Sequence, residues 1–248
     1  MKITFLGSGH GVPSAERFCS CAMIEIGSNI YLIDAGVPVV DLLLRYEKNI
    51  CDLQAVFTTH RHGDHVSGIL SLIDLCTWYY KTSSFDIFVT DKELEDAFCA
   101  CFEVMERSQI DRERIRFRVA QSGVVFDNGE IKITYIPTRH CEPTPSYAVL
   151  VEAQGKRVLF TGDLSRRLEK GDFPTVATES HTDLVVCELA HFGLEHAETY
   201  MKRLTTDRLC FNHVFPLDKL DEINAVSKSG KYPYSIFYAS DGDVIELS

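Results

Sequence analysis

The stretch His60-Arg61-His62-Gly63-Asp64-His65 places three imidazoles and a carboxylate in six residues. Imidazole is a borderline ligand and carboxylate a hard one, and together they suit Zn²⁺, Mn²⁺ or Fe²⁺. An apolar run, "AVFTT", comes just before it, and a helical pattern, "VSGILSLIDL", comes just after. A loop between strand and helix lets these side chains converge beside the strand's C-terminal end. One loop cannot complete the ligand shells of two ions. Further donors are therefore expected singly, each at the end of a strand. His140 follows "IKITYIPTR", Asp163 follows "RVLFTG", and His213 lies within "LCFNHVFP".

Those donors need elements to hold them. Short β-branched runs predict strands at "AMIEI", "IYLID", "AVFTT", "DIFVT", "IKITYI", "YAVLVEA", "RVLFTG", "DLVVCEL", "LCFNHV", "SIFYA" and "VIEL". Helical periodicity covers about 66–80, 92–107, 195–204 and 217–228. Mixed strands and helices predict sheets covered by helices. The chain also echoes itself. "AMIEIGSNIYLIDAG" and "YAVLVEAQGKRVLFTGD" both read as hairpins ending in an aspartate, Asp34 and Asp163. Each is followed by a strand and loop that align His60 with His191, Asp64 with Glu195, and His65 with His196. Duplication and chance similarity both account for that alignment.

Bulk composition narrows the function classes. The chain has 248 residues, 45% of them apolar, a soluble globular composition read here as one domain spanning 1–248. No apolar run reaches membrane-spanning length, and the N-terminal stretch lacks the apolar core of a signal peptide. Nine cysteines, an odd count, then predict reduced thiols and a cytoplasmic protein. Cys19 and Cys21, like Cys99 and Cys101, are expected as small buried hydrophobes. A net charge of −11 weighs against duplex DNA or long RNA as partner. It leaves room for a small phosphorylated substrate, because bound cations reverse the local field. Arg112, Arg114, Arg116 and Arg118 recur at period two and predict a solvated strand face.

The order Asp34 in "IDAG", then "THRHGDH", "RH", "TGD" and "NH" resembles the hydrolase side of the metallo-β-lactamase superfamily over nearly the whole chain. The resemblance implies an α/β (α+β) fold, a four-layer αββα sandwich of two mixed sheets flanked by helices. It implies two divalent metal ions, zinc foremost, with manganese or iron as alternatives. His60, His62 and His140 would hold one ion, and Asp64, His65 and His213 the other. Asp163 would bridge them, and Asp34 would orient ligands from behind. Redox members of the superfamily carry a carboxylate where this chain has His62. The implied chemistry is hydrolysis by a metal-bridging hydroxide attacking phosphorus or a carbonyl carbon. Asp64 would also position that nucleophile.

Within the superfamily the chain is most similar to the ribonuclease Z and phosphodiesterase branch. "GSGHGVPSAERF" offers Pro13 and Arg17, and "DLVVCELAHFGLEHAETY" offers Glu188 and His191. In that branch the latter pair assists proton transfer to the leaving group; relics of the internal echo are the other reading. Only residues 164–187, 24 in number, separate Asp163 from Glu188, too few for a tRNA-clamping arm. The expected activity is therefore a phosphodiesterase acting on a small or short-nucleotide substrate. The alternatives are a thioester or lactone hydrolase of the glyoxalase-like type, a ribonuclease Z-like tRNA endonuclease, and a non-catalytic metal-binding module. No membrane partner is expected, and homo-oligomerisation stays open.

The "GSGHGVPSAER" stretch lacks both the P-loop ending and dinucleotide-site spacing. Gly7, Gly9 and Gly11 are instead read as a sharp turn forming one wall of the site. His10 or Arg17 would touch substrate there. Arg17, Arg61, Arg139 and Arg166 lie beside the motifs and are placed to meet a phosphate. His181 is expected in a solvent-facing loop, and His196 at a helix N-terminus.

Overall fold

The structure, a computed structural model, describes residues 1–248. Six strands open the chain: β1 (Lys2–Gly7), β2 (Cys21–Ile26), β3 (Asn29–Ile33), β4 (Leu53–Phe57), β5 (Phe85–Val89) and β6 (Ile115–Val119). Seven follow: β7 (Gly123–Asp127), β8 (Ile131–Pro137), β9 (Tyr147–Ala153), β10 (Lys156–Phe160), β11 (Leu184–Leu189), β12 (Arg208–Val214) and β13 (Ser235–Tyr238). The last is β14 (Val244–Glu246). One sheet has the order β14-β1-β2-β3-β4-β5-β6 and the other β13-β12-β11-β10-β9-β8-β7.

The two sheets repeat one another. Each has an antiparallel hairpin, β2–β3 and β9–β10, followed by three parallel pairings. Each has an antiparallel outer pair, β14–β1 and β7–β8. The echo heard in the sequence is therefore a repeat of topology.

Helices α1 (Val39–Arg45), α2 (Gly63–Val66), α3 (Gly68–Trp78) and α4 (Lys92–Glu106) belong to the first half. The second half carries α5 (Val176–Glu179), α6 (Leu194–Met201) and α7 (Lys219–Lys228). Alternation along the strands sends one set of side chains between the sheets and the other beneath the helices. Tyr31, Phe57, Ile133, Val149 and Val158 belong to the cluster between the sheets. Leu32, Val56, Ile69, Leu72 and Phe102 fill the layer under α1, α3 and α4. Leu159, Val185, Ala197, Phe211 and Ile223 fill the layer under α5–α7. These layers are the αββα sandwich that the resemblance implies. No helix is long and apolar enough to cross a membrane.

The chain's far end grips its beginning. β14 pairs with β1, and the Phe5 amide donates to the Asp243 carbonyl at 3.0 Å. Asp241 accepts from the amides of Ser8 and Phe18. The Arg17 guanidinium donates to the Ala239 carbonyl and to the hydroxyls of Ser8 and Ser240.

Some local expectations need correction. Strand β7 and helix α1 lie where the sequence patterns predicted nothing. Arg112 and Arg114 precede β6 rather than lying on it, and all four arginines of that run pair with carboxylates. Of the four Cys-x-Cys thiols only Cys21 is buried; Cys101 on α4 is exposed, because positions two apart on a helix face different ways.

Candidate metal centre

Strand ends set the candidate residues around one cleft between the sheets. Asp34 follows β3, His60–His65 follow β4, His140 follows β8, and Asp163 follows β10. Glu188 lies near the end of β11, and His213 near the end of β12. His213 and Asp34 both hold left-handed backbone, φ 53° and 61°. Non-glycine residues adopt that region at a cost, which the surrounding structure must offset.

Each imidazole is oriented from behind. The Nδ1 of His140 donates to the Leu164 carbonyl at 3.1 Å, and that of His213 donates to the Gly9 carbonyl at 3.0 Å. Carbonyl oxygens only accept, so both Nε2 lone pairs are left facing the cleft. The Nδ1 of His65 lies 2.7 Å from Asp34, whose carboxylate also accepts from the Thr59 amide at 2.7 Å. Thr59 contacts His60 in turn, its hydroxyl 3.0 Å from Nδ1.

In front of these supports the donors converge. His62 Nδ1 stands 3.0 Å from His60 Nε2 and 3.2 Å from His140 Nε2. Asp64 Oδ2 lies 3.7 Å from His65 Nε2 and 3.6 Å from His213 Nε2. Asp163 sits between the two groups, with its oxygens 3.5–3.7 Å from His60, His65, His140 and His213. His60, His65, Asp163 and His213 are buried, while Asp64, His62 and His191 reach the open side.

Burial lowers the His60 pKa well below its ordinary value, and neighbouring His65 adds to the effect, which keeps its ring neutral and able to bind a cation. Burial alone would raise the Asp163 pKa; the rings of His213, His65 and His60 outweigh it and hold the carboxyl well below the usual range. Burial likewise works against charged His65, but Asp163 and Asp34 push its pKa up to about 10.

The Nε2 atoms of His65 and His213 are buried and have no hydrogen-bond partner. Orphaned buried polar atoms are rare because each forfeits its hydration. Two such nitrogens beside a buried carboxylate fit a bound divalent cation, whose positive charge would take the place of ring protons. The donor groups close enough to share an ion are His60–His62–His140–Cys141, His60–His65–Asp163, Asp64–His65–His213 and His140–Asp163–His191.

Cys141 is a group near the candidate ligands that sequence reasoning missed. Its Sγ is 3.8 Å from His62 Nε2, and burial, with Asp163 nearby, pushes its thiol up to about 11. Adjacency to His140 was the available signal.

The remaining candidates are placed as follows. His191 Nδ1 lies 2.9 Å from Glu188, whose carboxylate also accepts from the amides of Leu164, Ala190 and His191. Burial opposes charge on His191, but Glu188 more than offsets it and raises the pKa. His10 stacks on Phe215 at 4.7 Å and meets the His213 ring edge-on at 4.9 Å. Arg17 is engaged with the chain's far end, Arg61 pairs with Asp91 and Glu93, and Arg139 donates to the Lys170 carbonyl. Arg166 is exposed in a 3₁₀ turn. His181 is exposed, and His196 accepts from the Gly193 amide at the start of α6.

The glycine-rich turn does form a wall. A Cβ on Gly11 would lie 2.7 Å from Asp64 Oδ2, so the backbone passes directly over that carboxylate.

Comparison with known proteins agrees with this architecture. The chain is 30% identical to ribonuclease Z of Acaryochloris marina over 151 residues, 60% of this chain and 47% of that protein. It thus spans about half the length of that relative. The metallo-β-lactamase fold protein YhfI from Bacillus subtilis superposes with a TM-score of 0.78 at 21% identity, covering 99% of each chain. The short form of human tRNase Z gives 0.74 at 20% identity, covering 100% of each. The family described as Anti-Pycsar protein Apyc1 matches residues 1–206. With that match covering most of its length, the chain belongs to the Anti-Pycsar protein Apyc1 family and carries the metallo-β-lactamase fold.

Proposed function

We propose that this protein is a metal-dependent phosphodiesterase acting on a small or short-nucleotide phosphodiester. The observation that carries the reading is the convergence of five imidazoles and two carboxylates on one cleft, with the His191–Glu188 pair on its open side. His60, His62 and His140 would hold one divalent ion, and Asp64, His65 and His213 a second, with Asp163 between them. Zinc is the proposed metal, since it accepts nitrogen and oxygen donors in this ratio. When bound, such ions supply Lewis-acid polarisation and a water acidified toward neutrality.

The chain's own residues supply the rest. Asp34 and Thr59 hold the rings of His65 and His60 from behind. Asp64, at the mouth, binds metal and orients the attacking group. His191, held at Nδ1 by Glu188, keeps Nε2 out of that pair and would protonate the leaving oxygen. His10, stacked on Phe215 beside His213, forms the substrate-facing wall in preference to Arg17.

The ribonuclease Z similarity favours a second reading, an RNA endonuclease. Two features weigh against it. Within residues 164–187, Leu164, Leu168, Phe173 and Ala177 are buried in the core layer outside the second sheet. The net charge of −11 also repels a long polyanion.

Elemental analysis of the purified protein should find a divalent transition metal. Bis-p-nitrophenyl phosphate should be turned over, chelation should abolish the activity, and added Zn²⁺ or Mn²⁺ should restore it. Inertness toward diesters beside turnover of an acyl thioester would overturn the reading. Cleavage of a tRNA precursor but not of small diesters would favour the endonuclease.

His191→Ala gives a sharper test of the acid. A diester with a poor alkoxide leaving group should slow by roughly 10²–10⁴-fold. A p-nitrophenyl ester, whose leaving group departs without a proton, should change little. Equal losses on both substrates would remove His191 from that role.

A further inference from the structure

Asp172 lies between the 3₁₀ turn at 166–168 and α5, and only 8% of it is exposed. Its carboxylate accepts hydrogen bonds from neutral donors alone. Oδ2 accepts from the backbone amides of Arg139 and Ser165, both at 2.9 Å, and Oδ1 accepts from the Ser165 hydroxyl. A carboxylate shut away from water without a cation is costly unless its hydrogen bonds are good. An apolar side chain would fill the same space without that penalty. The placement of this carboxylate therefore calls for a reason.

The two amides supply it. Arg139 directly precedes His140, and Ser165 lies two residues past Asp163. One carboxylate oxygen thus ties the loop after β8 to the loop after β10. The same loops meet again where His140 Nδ1 donates to the Leu164 carbonyl at 3.1 Å. On the cleft side of this tie, His140 Nε2 and Asp163 Oδ2 stand 3.7 Å apart.

We propose that Asp172 is a positioning residue. It fixes the spacing of His140 and Asp163 and thereby sets the affinity of the metal position they share. The assignment rests on the metal reading above. Asp172 acts through the backbone and touches neither metal nor substrate.

Calorimetric titration of the chelator-treated full chain with Zn²⁺ tests it. Asp172→Ala should weaken binding at one position by about 10–100-fold, the usual effect of removing a support behind a metal ligand. The other position shares Asp163 but not His140, and should weaken less. Asp172→Asn keeps one carbonyl oxygen able to accept from both amides, and should recover most of the affinity. A merely structural role would lower the melting temperature of Asp172→Ala while leaving the folded protein's zinc affinity unchanged. That result, or an Asn variant as weak as the Ala variant, overturns the assignment and leaves the metal reading standing. Should Asp172→Ala fail to fold, Asp172→Glu carries the comparison, because it sets the carboxylate one methylene out of place. Weakened zinc binding in that variant supports the role, and wild-type binding overturns it. Failure of the wild-type chain to take up zinc overturns the metal reading and this assignment together.

Discussion

Asp163→Ala is expected to abolish turnover. The carboxylate is 3% exposed and lies 3.5–3.8 Å from ring nitrogens of His60, His65, His140, His191 and His213. No other carboxylate in the cleft faces all of these rings. Its loss leaves Asp64 as the remaining carboxylate of the donor group, and Asp64 stands near only His65 and His213. A metal's stabilisation of transition-state charge amounts to several kcal/mol. Loss of about 4 kcal/mol corresponds to roughly a thousand-fold fall in kcat/KM. Asp163→Asn keeps the volume and removes the charge, so it separates packing from electrostatics and should fail nearly as badly. The measurement is kcat/KM on a small diester beside metal content. Wild-type kcat/KM with full metal content would take Asp163 out of the centre.

Gly36→Ala should be the most damaging single methyl. A Cβ there would lie 1.7 Å from the Asp64 carbonyl oxygen and 3.0 Å from Cys19 Cβ. Neither side can yield cheaply. The Gly36 amide donates to Ser20, the Ser20 amide donates to Asp64, and the Ala35 amide donates to His65. The added methyl must push the 63–66 segment outward or break that lacing. Overpacking of this kind costs about 3 kcal/mol or more when backbone has to move. The moving segment carries Asp64 and His65, so activity should fall roughly 10²-fold even in the fraction that folds. Gly63→Ala is the control, since a Cβ there meets nothing within 4 Å. Denaturant unfolding of both variants reads the difference. A Gly36→Ala protein as stable as Gly63→Ala would show that the segment yields freely.

The ligand-bearing loops were legible in the sequence because local signals mark them. "HRHGDH" concentrates its donors in one turn, and His140, Asp163 and His213 each end a strand whose β-branched run is plain. The helices over 92–107 and 66–80 were read for the same reason. Features that depend on distant pairing were not. β7 is a largely exposed edge strand, with Gly123, Val124 and Asp127 all in solvent, so no buried alternation marks it. Arg17 read as a substrate contact because its neighbours are motif residues; its guanidinium goes instead to Ala239 and Ser240, over two hundred positions away. Asp172 carries no local sequence signal, and only the fold brings Arg139 and Ser165 to the same oxygen. Cys141 was read only as one of nine reduced thiols, because its neighbour His62 is remote in sequence.

The grip of residues 239–246 on the first strand has a bearing on how the chain acquires its site. Domains fold from the N-terminal side as synthesis proceeds, and contacts between distant positions form late. When β11 has emerged, the chain already carries His60, His62, Asp64, His65, His140 and Asp163. It still lacks His213, and it lacks the strand that covers the outer edge of β1. The Ser8–Phe18 turn has no Asp241 to receive its amides until the last stretch arrives. His213 depends on that turn in return, donating its own amide to Ser8 and its Nδ1 to Gly9. The final donor and the loop that aims it are thus secured together. On the proposed reading, a nascent chain would hold an incomplete donor set until the segment around Asp241 has docked.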